Sequence, residues 1–189
     1  MSNINLGIIG GGQLGSMLAV AAKKLNIKTI IFCDDADAPA KIFCDEFLCG
    51  EYQNQEKILE FISKVDIITY EFENIPFETL NEINKLKSVL PKPSVNRLIQ
   101  HRLAEKDFIN KLNIRTTRYV SVEKKDDIET LEDFLPGILK TTTMGYDGKG
   151  QYPLKRKEDI KLLNIDFSKG YILEKLVKLK KEISVIVTR

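Results

Sequence analysis

The chain has 189 residues, 43% of them hydrophobic, and its 29 basic and 27 acidic side chains leave a formal net charge of +2. That is enough apolar material for one large core or two small ones, and a charge so near balance calls for neither a nucleic-acid nor a membrane partner. The three cysteines (Cys33, Cys44, Cys49) form no Cys-x-x-Cys pair and the only histidine is His101, so neither a disulfide framework nor a metal site is expected; with no apolar run of membrane length and no signal-peptide plan, the expectation is a soluble cytoplasmic protein.

In chain order, residues 6–9 read as a buried strand, cut by Gly10-Gly11-Gly12. Residues 13–25 have helical spacing, with Leu14, Met17, Leu18, Ala21, Ala22 and Leu25 on one face. A second strand is predicted over 28–33, ending at Asp34-Asp35, while 41–50 follows no clear period. Residues 55–64 look helical, 65–70 like a strand, 77–86 like a helix opened by Pro76, and 88–90 like a short strand. Strands alternating with helices at this spacing predict an α/β fold with a doubly wound parallel sheet. Ligands of such sheets gather at the C-terminal strand ends, where residues 10–15, Asp34 and 71–74 would lie. A charged amphipathic stretch over 94–113 reads as one helix or two. From Arg115 the character changes to α+β: short strands at 119–122, 138–141, 151–154 and 171–173, mixed with helical stretches at 128–134 and 157–163. Residues 182–188 alternate polar and apolar like a strand with only Arg189 after it, as if the polypeptide stopped inside a domain.

Two glycine-rich segments carry the chemistry. Gly10, Gly12 and Gly15 satisfy G-x-G-x-x-G between a strand and a helix, and Asp34 lies nineteen residues past Gly15. Taken alone this is a dinucleotide fingerprint; it is also compatible with a closely packed turn, or with a phosphate held at a helix N-terminus, where backbone N–H groups and the dipole favour anions. The second segment is Gly145-Tyr146-Asp147-Gly148-Lys149-Gly150-Gln151, with a strand ending in Lys140 before it and one ending in Glu174 after it. Glycines let amides approach a phosphate, and Lys149 adds a positive charge. Asp147-Gly148 alone would suit a plain hairpin. Lysine, glycine loop and strand-end acid together point to a nucleoside triphosphate under a lid, which favours phosphate over nicotinamide at the first motif too.

Gly10-Gly11-Gly12-Gln13-Leu14-Gly15, then Thr69-Tyr70-Glu71-Phe72-Glu73-Asn74-Ile75-Pro76, then Arg102 with Glu105-Lys106, then the seven residues from Gly145 to Gln151 occur in order and at the right distances. Together they resemble the N5-carboxyaminoimidazole ribonucleotide synthases, an ATP-grasp family of purine biosynthesis, over essentially the whole chain. The resemblance implies a Rossmann-like pre-ATP-grasp domain over 1–93, a connecting helix of the central domain over 94–115, an ATP-grasp lid subdomain over 116–178, and the start of an incomplete central ATP-grasp domain over 179–189. It implies an ATP-dependent carbon–nitrogen ligase. Bicarbonate would be phosphorylated to carboxyphosphate, and the exocyclic amine of aminoimidazole ribonucleotide then carboxylated. ATP is the implied cofactor, with Mg²⁺ on acids expected further along than Arg189, and the family commonly forms homodimers. No metal ligand is assigned in this sequence.

Carried over position by position, Arg102 and Lys140 look like ATP-binding residues, and Gly145, Tyr146, Asp147, Gly148, Lys149, Gly150 and Gln151 like the phosphate-covering loop. Glu174, Lys175, Leu176 and Val177 resemble the linker that reads adenine, and Glu182 the acid that holds the ribose hydroxyls. Gly12, Gln13, Leu14 and Glu73 look placed for the ribonucleotide, with Tyr146 and Asp147 as catalytic candidates touching bicarbonate or the aminoimidazole. Two positions depart from the family: His101 stands where an acid often precedes the helix arginine, and Met144 where a glycine usually precedes the loop. Family members continue well beyond this length, so a chain of 189 residues is expected not to turn over by itself. The alternatives kept open are another ATP-grasp carboxylase, such as a biotin carboxylase subunit, and an NAD-binding oxidoreductase.

Overall fold

The computed structural model describes residues 4–145 and 149–187. The chain divides into two compact units, Met1–Gln100 and His101–Arg189.

The first unit is a four-stranded parallel sheet. Its strands are β1 (Asn5–Ile9), β2 (Lys28–Cys33), β3 (Glu46–Cys49) and β4 (Ile67–Tyr70), in the order β3-β2-β1-β4. Alternate residues of the strands serve opposite faces. Ile8 and Ile31 face α1 (Gln13–Lys24) in a cluster with Ala19, Cys33, Ala38 and Ala40. Ile9, Ile30 and Phe32 face the other way, toward α2 (Gln55–Lys64) and α3 (Phe77–Leu86), with Phe61, Ile68 and Leu80. A sheet covered on both faces explains why β2 reads as a nearly continuous apolar run. Helix α4 (Pro93–Ile99) closes the unit.

Three expectations change here. The unclear stretch 41–50 holds a 3-10 turn over Pro39–Ile42 and the edge strand β3. The short strand at 88–90 is a single parallel bridge, Ile68 to Val89. The buried face of α1 consists of Gly15, Ala19 and Ala22, whereas Leu14 and Met17 are 57% and 65% exposed. Small side chains at i, i+4 and i+7 let this helix approach the sheet closely, so it packs on its narrow face rather than on its bulky one.

The second unit begins with α5 (Arg102–Lys111) and is built on an antiparallel sheet. Its strands are β5 (Tyr119–Val122), β6 (Gly137–Thr141), β7 (Gln151–Leu154) and β8 (Tyr171–Lys175), ordered β5-β8-β6-β7. Short helices α6 (Lys125–Glu129) and α7 (Lys157–Lys161) place Ile128 and Ile160 in one cluster with Val122, Leu139, Leu154, Tyr171 and Leu173. The helical stretch expected over 128–134 is instead α6 followed by a 3-10 turn at Glu132–Phe134. Residues 182–187, read as a strand from their alternation, lie outside any strand and are exposed. The predicted helix over 94–113 is two helices, α4 and α5, and the boundary between the units falls between them.

Candidate functional site

Each unit brings only some of its sequence-predicted residues together. In the first unit, strand order reverses between β1 and β4, and ligand crevices of open parallel sheets form at such a switch point. The glycine turn leaves β1 there. Gly10 has φ +104°, a conformation that L side chains rarely adopt, and a Cβ on it would sit 2.7 Å from the Glu71 carboxylate. Glu71 follows β4 directly, its own N–H bonded to the Ile9 carbonyl at 3.1 Å. Its Oε1 accepts the Gly12 N–H at 2.8 Å. Gly12 is the N-cap of α1, whose first turn holds no acid, so β4 supplies the negative charge that a helix N-terminus favours.

Gly12 is thus in the turn, while Gln13 and Leu14, the next two residues, are exposed. Glu73 is exposed as well, and its carbonyl, rather than its carboxylate, carries the described bonds. That carbonyl accepts from Asn96 Nδ2 at 2.9 Å and from Gln100 Nε2 at 2.7 Å, and Gln100 also reaches the Ile75 carbonyl at 2.7 Å. Sequence reasoning passed over Glu71. The available signal was its position as the first residue past a strand next to Gly10 and Gly12, which have no Cβ to exclude it.

In the second unit, α5 faces the sheet with two cations one turn apart. Arg102 Nη1 donates to the Thr141 carbonyl at 2.7 Å and its Nη2 to the Gly145 carbonyl, so the guanidinium holds both ends of the entry to the glycine loop. A Cβ on Gly145 would meet that guanidinium at 2.7 Å. Four residues on, Lys106 Nζ lies 3.1 Å from Glu174 Oε1, and Lys140 Nζ lies 2.8 Å from Glu174 Oε2. The register explains the second pair. Glu174 lies opposite Ile138, two residues from Lys140 on the same face, and diagonal neighbours of that kind reach each other through long side chains. Glu174 is 7% exposed. Burial pushes its carboxyl up, and the hydrogen bonds and charges of Lys140 and then Lys106 more than offset this, holding it below the usual glutamate range.

Of the remaining assignments, Gln151 opens β7 opposite Lys140, and Gly150 accepts the Thr141 N–H at 2.9 Å through its carbonyl. Lys149 is exposed beside the loop. Tyr146, Asp147 and Gly148 lie outside the described residues. Lys175 ends β8 and turns its ammonium to the Asp133 and Leu135 carbonyls. Leu176 and Val177 follow at 44% and 51% exposure, with the Leu176 N–H on the Pro136 carbonyl, and Glu182 is exposed in the segment beyond.

Both departures from the family have a local account. His101 is the N-cap of α5, and its Nδ1 accepts from the Ala104 N–H at 3.4 Å, the place an acidic cap would take. Met144 adopts φ +56°, the left-handed region in which glycine is unstrained.

Residues 1–100 match the ribonucleotide synthetase preATP-grasp domain family, and residues 107–189 match the ATP-grasp domain. The chain is 39% identical, over 97% of its length and 19% of the relative's, to the bifunctional purine synthesis protein purC/E of Dictyostelium discoideum. It is 38% identical, over 97% of its length and 52% of the relative's, to an N5-carboxyaminoimidazole ribonucleotide synthase of Brucella melitensis. Among solved structures, the N5-carboxyaminoimidazole synthetase of Staphylococcus aureus complexed with ADP superposes with a TM-score of 0.86 at 31% identity, covering 94% of this chain and 48% of that one. The chain therefore spans about half the length of the synthases it resembles.

Proposed function

This chain belongs to the ribonucleotide synthetase preATP-grasp family, and on that premise we propose that it serves an ATP-dependent carbon–nitrogen ligase that carboxylates aminoimidazole ribonucleotide with bicarbonate. The observation that carries the nucleotide half of this reading is the pairing of Lys140 with buried Glu174 on adjacent strands, joined by Lys106 from the helix that also ties the entry of the glycine loop through Arg102. A lysine held near a strand end that leads into a glycine-rich loop is the arrangement that neutralises a triphosphate.

In the proposed reaction a bicarbonate oxygen attacks the γ-phosphorus and ADP leaves. The exocyclic amine then attacks the carbonyl carbon of carboxyphosphate, the C–O bond to phosphate breaks, and the amine gives up a proton. Lys140 and Lys149 hold the phosphates, Gly145 to Gln151 cover them, Leu176 and Val177 contact adenine after Glu174 and Lys175, and Glu182 takes the ribose hydroxyls. Gly12, Gln13, Leu14 and Glu73 serve the ribonucleotide, and Tyr146 and Asp147 the reacting bicarbonate. Water exclusion by the loop protects carboxyphosphate from hydrolysis. Mg²⁺, when bound, shields the phosphate charge; among the described residues no three of His, Cys, Asp and Glu converge on a metal position, and no step is assigned to it. A cytoplasmic location and a homodimer complete the proposal; no helix among the described residues is long and apolar enough to cross a membrane.

The test is phosphate release by the full-length protein given ATP, bicarbonate and aminoimidazole ribonucleotide, with Lys140→Ala as control. Release that requires all three substrates and falls at least about a hundredfold in the variant supports the reading. Carboxylation of biotin instead of the ribonucleotide would move the protein to another ATP-grasp carboxylase, and thermal stabilisation by NAD but not ATP would refute the ligase assignment.

A further inference from the structure

We propose that Lys106 is a positioning residue of the nucleotide site: it keeps the Glu174 carboxylate compensated so that Lys140 can leave that carboxylate for an anion. The inference rests on the nucleotide reading of this unit given above.

The geometry is a three-membered charge cluster. Glu174 divides its two oxygens between two ammonium groups, Oε1 to Lys106 at 3.1 Å and Oε2 to Lys140 at 2.8 Å. The Glu174 side chain is 9% exposed, Lys106 16% and Lys140 21%. One carboxylate against two ammonium groups leaves a formal charge of +1, which suits a site awaiting an anion. A buried carboxylate with a single ammonium partner would hold that partner firmly, because a buried charge left alone is strongly unfavourable. Lys140 could then turn to a phosphate only by abandoning Glu174. With Lys106 in place the carboxylate keeps a partner when Lys140 moves.

Lys106 is itself tightly placed. It lies one helical turn after Arg102, on a helix with no buried residue, so polar contacts rather than an apolar stripe bring α5 to the sheet. Its ammonium stands 5.5 Å from the centroid of the Tyr119 ring, and the Tyr119 hydroxyl donates to Asp107 Oδ1 at 2.6 Å. The helix that ties the loop entry through Arg102 thus also sets the charge state around Lys140.

Two measurements on the full-length protein decide. ATP affinity should fall at least about tenfold in Lys106→Met, stay near wild type in Lys106→Arg, and recover in the double variant Lys106→Met/Glu174→Gln, as expected for residues coupled in one ion-pair network. Failure of the double variant to recover would overturn the proposal. Independently of nucleotide, acylation of the Lys140 amine by acetic anhydride, followed by peptide mass spectrometry, should slow several-fold in Lys106→Met and recover in the double variant. Unchanged Lys140 reactivity would overturn the proposal. The expected reactivity pattern in a protein that does not bind ATP would refute the proposed function while leaving the coupling intact. Melting curves for each variant identify any loss of folding, and Lys106→Arg then serves as the folded comparison.

Discussion

At the scale of single residues, backbone conformation decides which substitutions this chain tolerates. Met144 sits at φ +56°, where a side chain costs about 1–2 kcal/mol relative to glycine. Met144→Gly should therefore raise stability by about 1 kcal/mol in urea unfolding. Gly10 presents the opposite case. Its φ of +104° and the Glu71 carboxylate 2.7 Å from a would-be Cβ make Gly10→Ala destabilising by at least about 1 kcal/mol, and it should displace Glu71 from the Gly12 N–H. The same unfolding series reads the first effect, and the chemical shift of the Gly12 amide reads the second. At the head of α5, His101 caps the helix through Nδ1, so His101→Asp should keep the cap, while His101→Ala loses about 1 kcal/mol.

At the scale of elements, the pairing of β6 with β8 sets the acid response of one buried carboxylate. Glu174 is held below the usual value of 4.5 by Lys140 and Lys106 against the opposing effect of burial. A carboxyl depressed in the folded state binds its proton more readily unfolded. Its stabilising contribution is therefore complete above the ordinary glutamate range and is lost as pH falls through that range toward the lower folded value. Urea midpoints taken from pH 7 down to pH 3 should fall for the wild type and fall less steeply for Glu174→Gln; parallel curves would contradict this. On the parallel sheet, α4 acts differently: Asn96 and Gln100 hold the carbonyls of the segment after β4, so helix and loop are set by amide bonds rather than by charge. That arrangement should be insensitive to pH over the same interval.

At the scale of the molecule, the apolar cluster around Phe61 in the first unit and the one around Leu139 in the second share no residue among those described. Phe61 is fully buried and lies 5.6 Å from the Phe32 ring, so Phe61→Ala should cost about 3–5 kcal/mol; Leu139, fully buried in the other cluster, should cost about 2–5 kcal/mol as Leu139→Ala. Hydrogen exchange should show each loss confined to the unit that carries the substitution; loss of protection across both units from either change would argue for a single cooperative core. Much of this architecture is legible in the amino-acid sequence, because local signals settle it: β1 with its glycine turn and α1, the four strands of the second unit, and Lys140 and Glu174 at strand ends of the same unit. Periodicity reports what a segment can bury, whereas the partner it meets is a matter of tertiary structure. Hence α1 buries Gly15, Ala19 and Ala22 rather than its leucines, β3 forms where a sheet edge awaited it, and residues 182–187 alternate without joining a strand. The same reason separates Glu71 from Glu73 and brings Lys106 into the cluster with Lys140. Residue type and spacing nominated acids and bases, and only the approach of distant strands and a helix selected which of them meet.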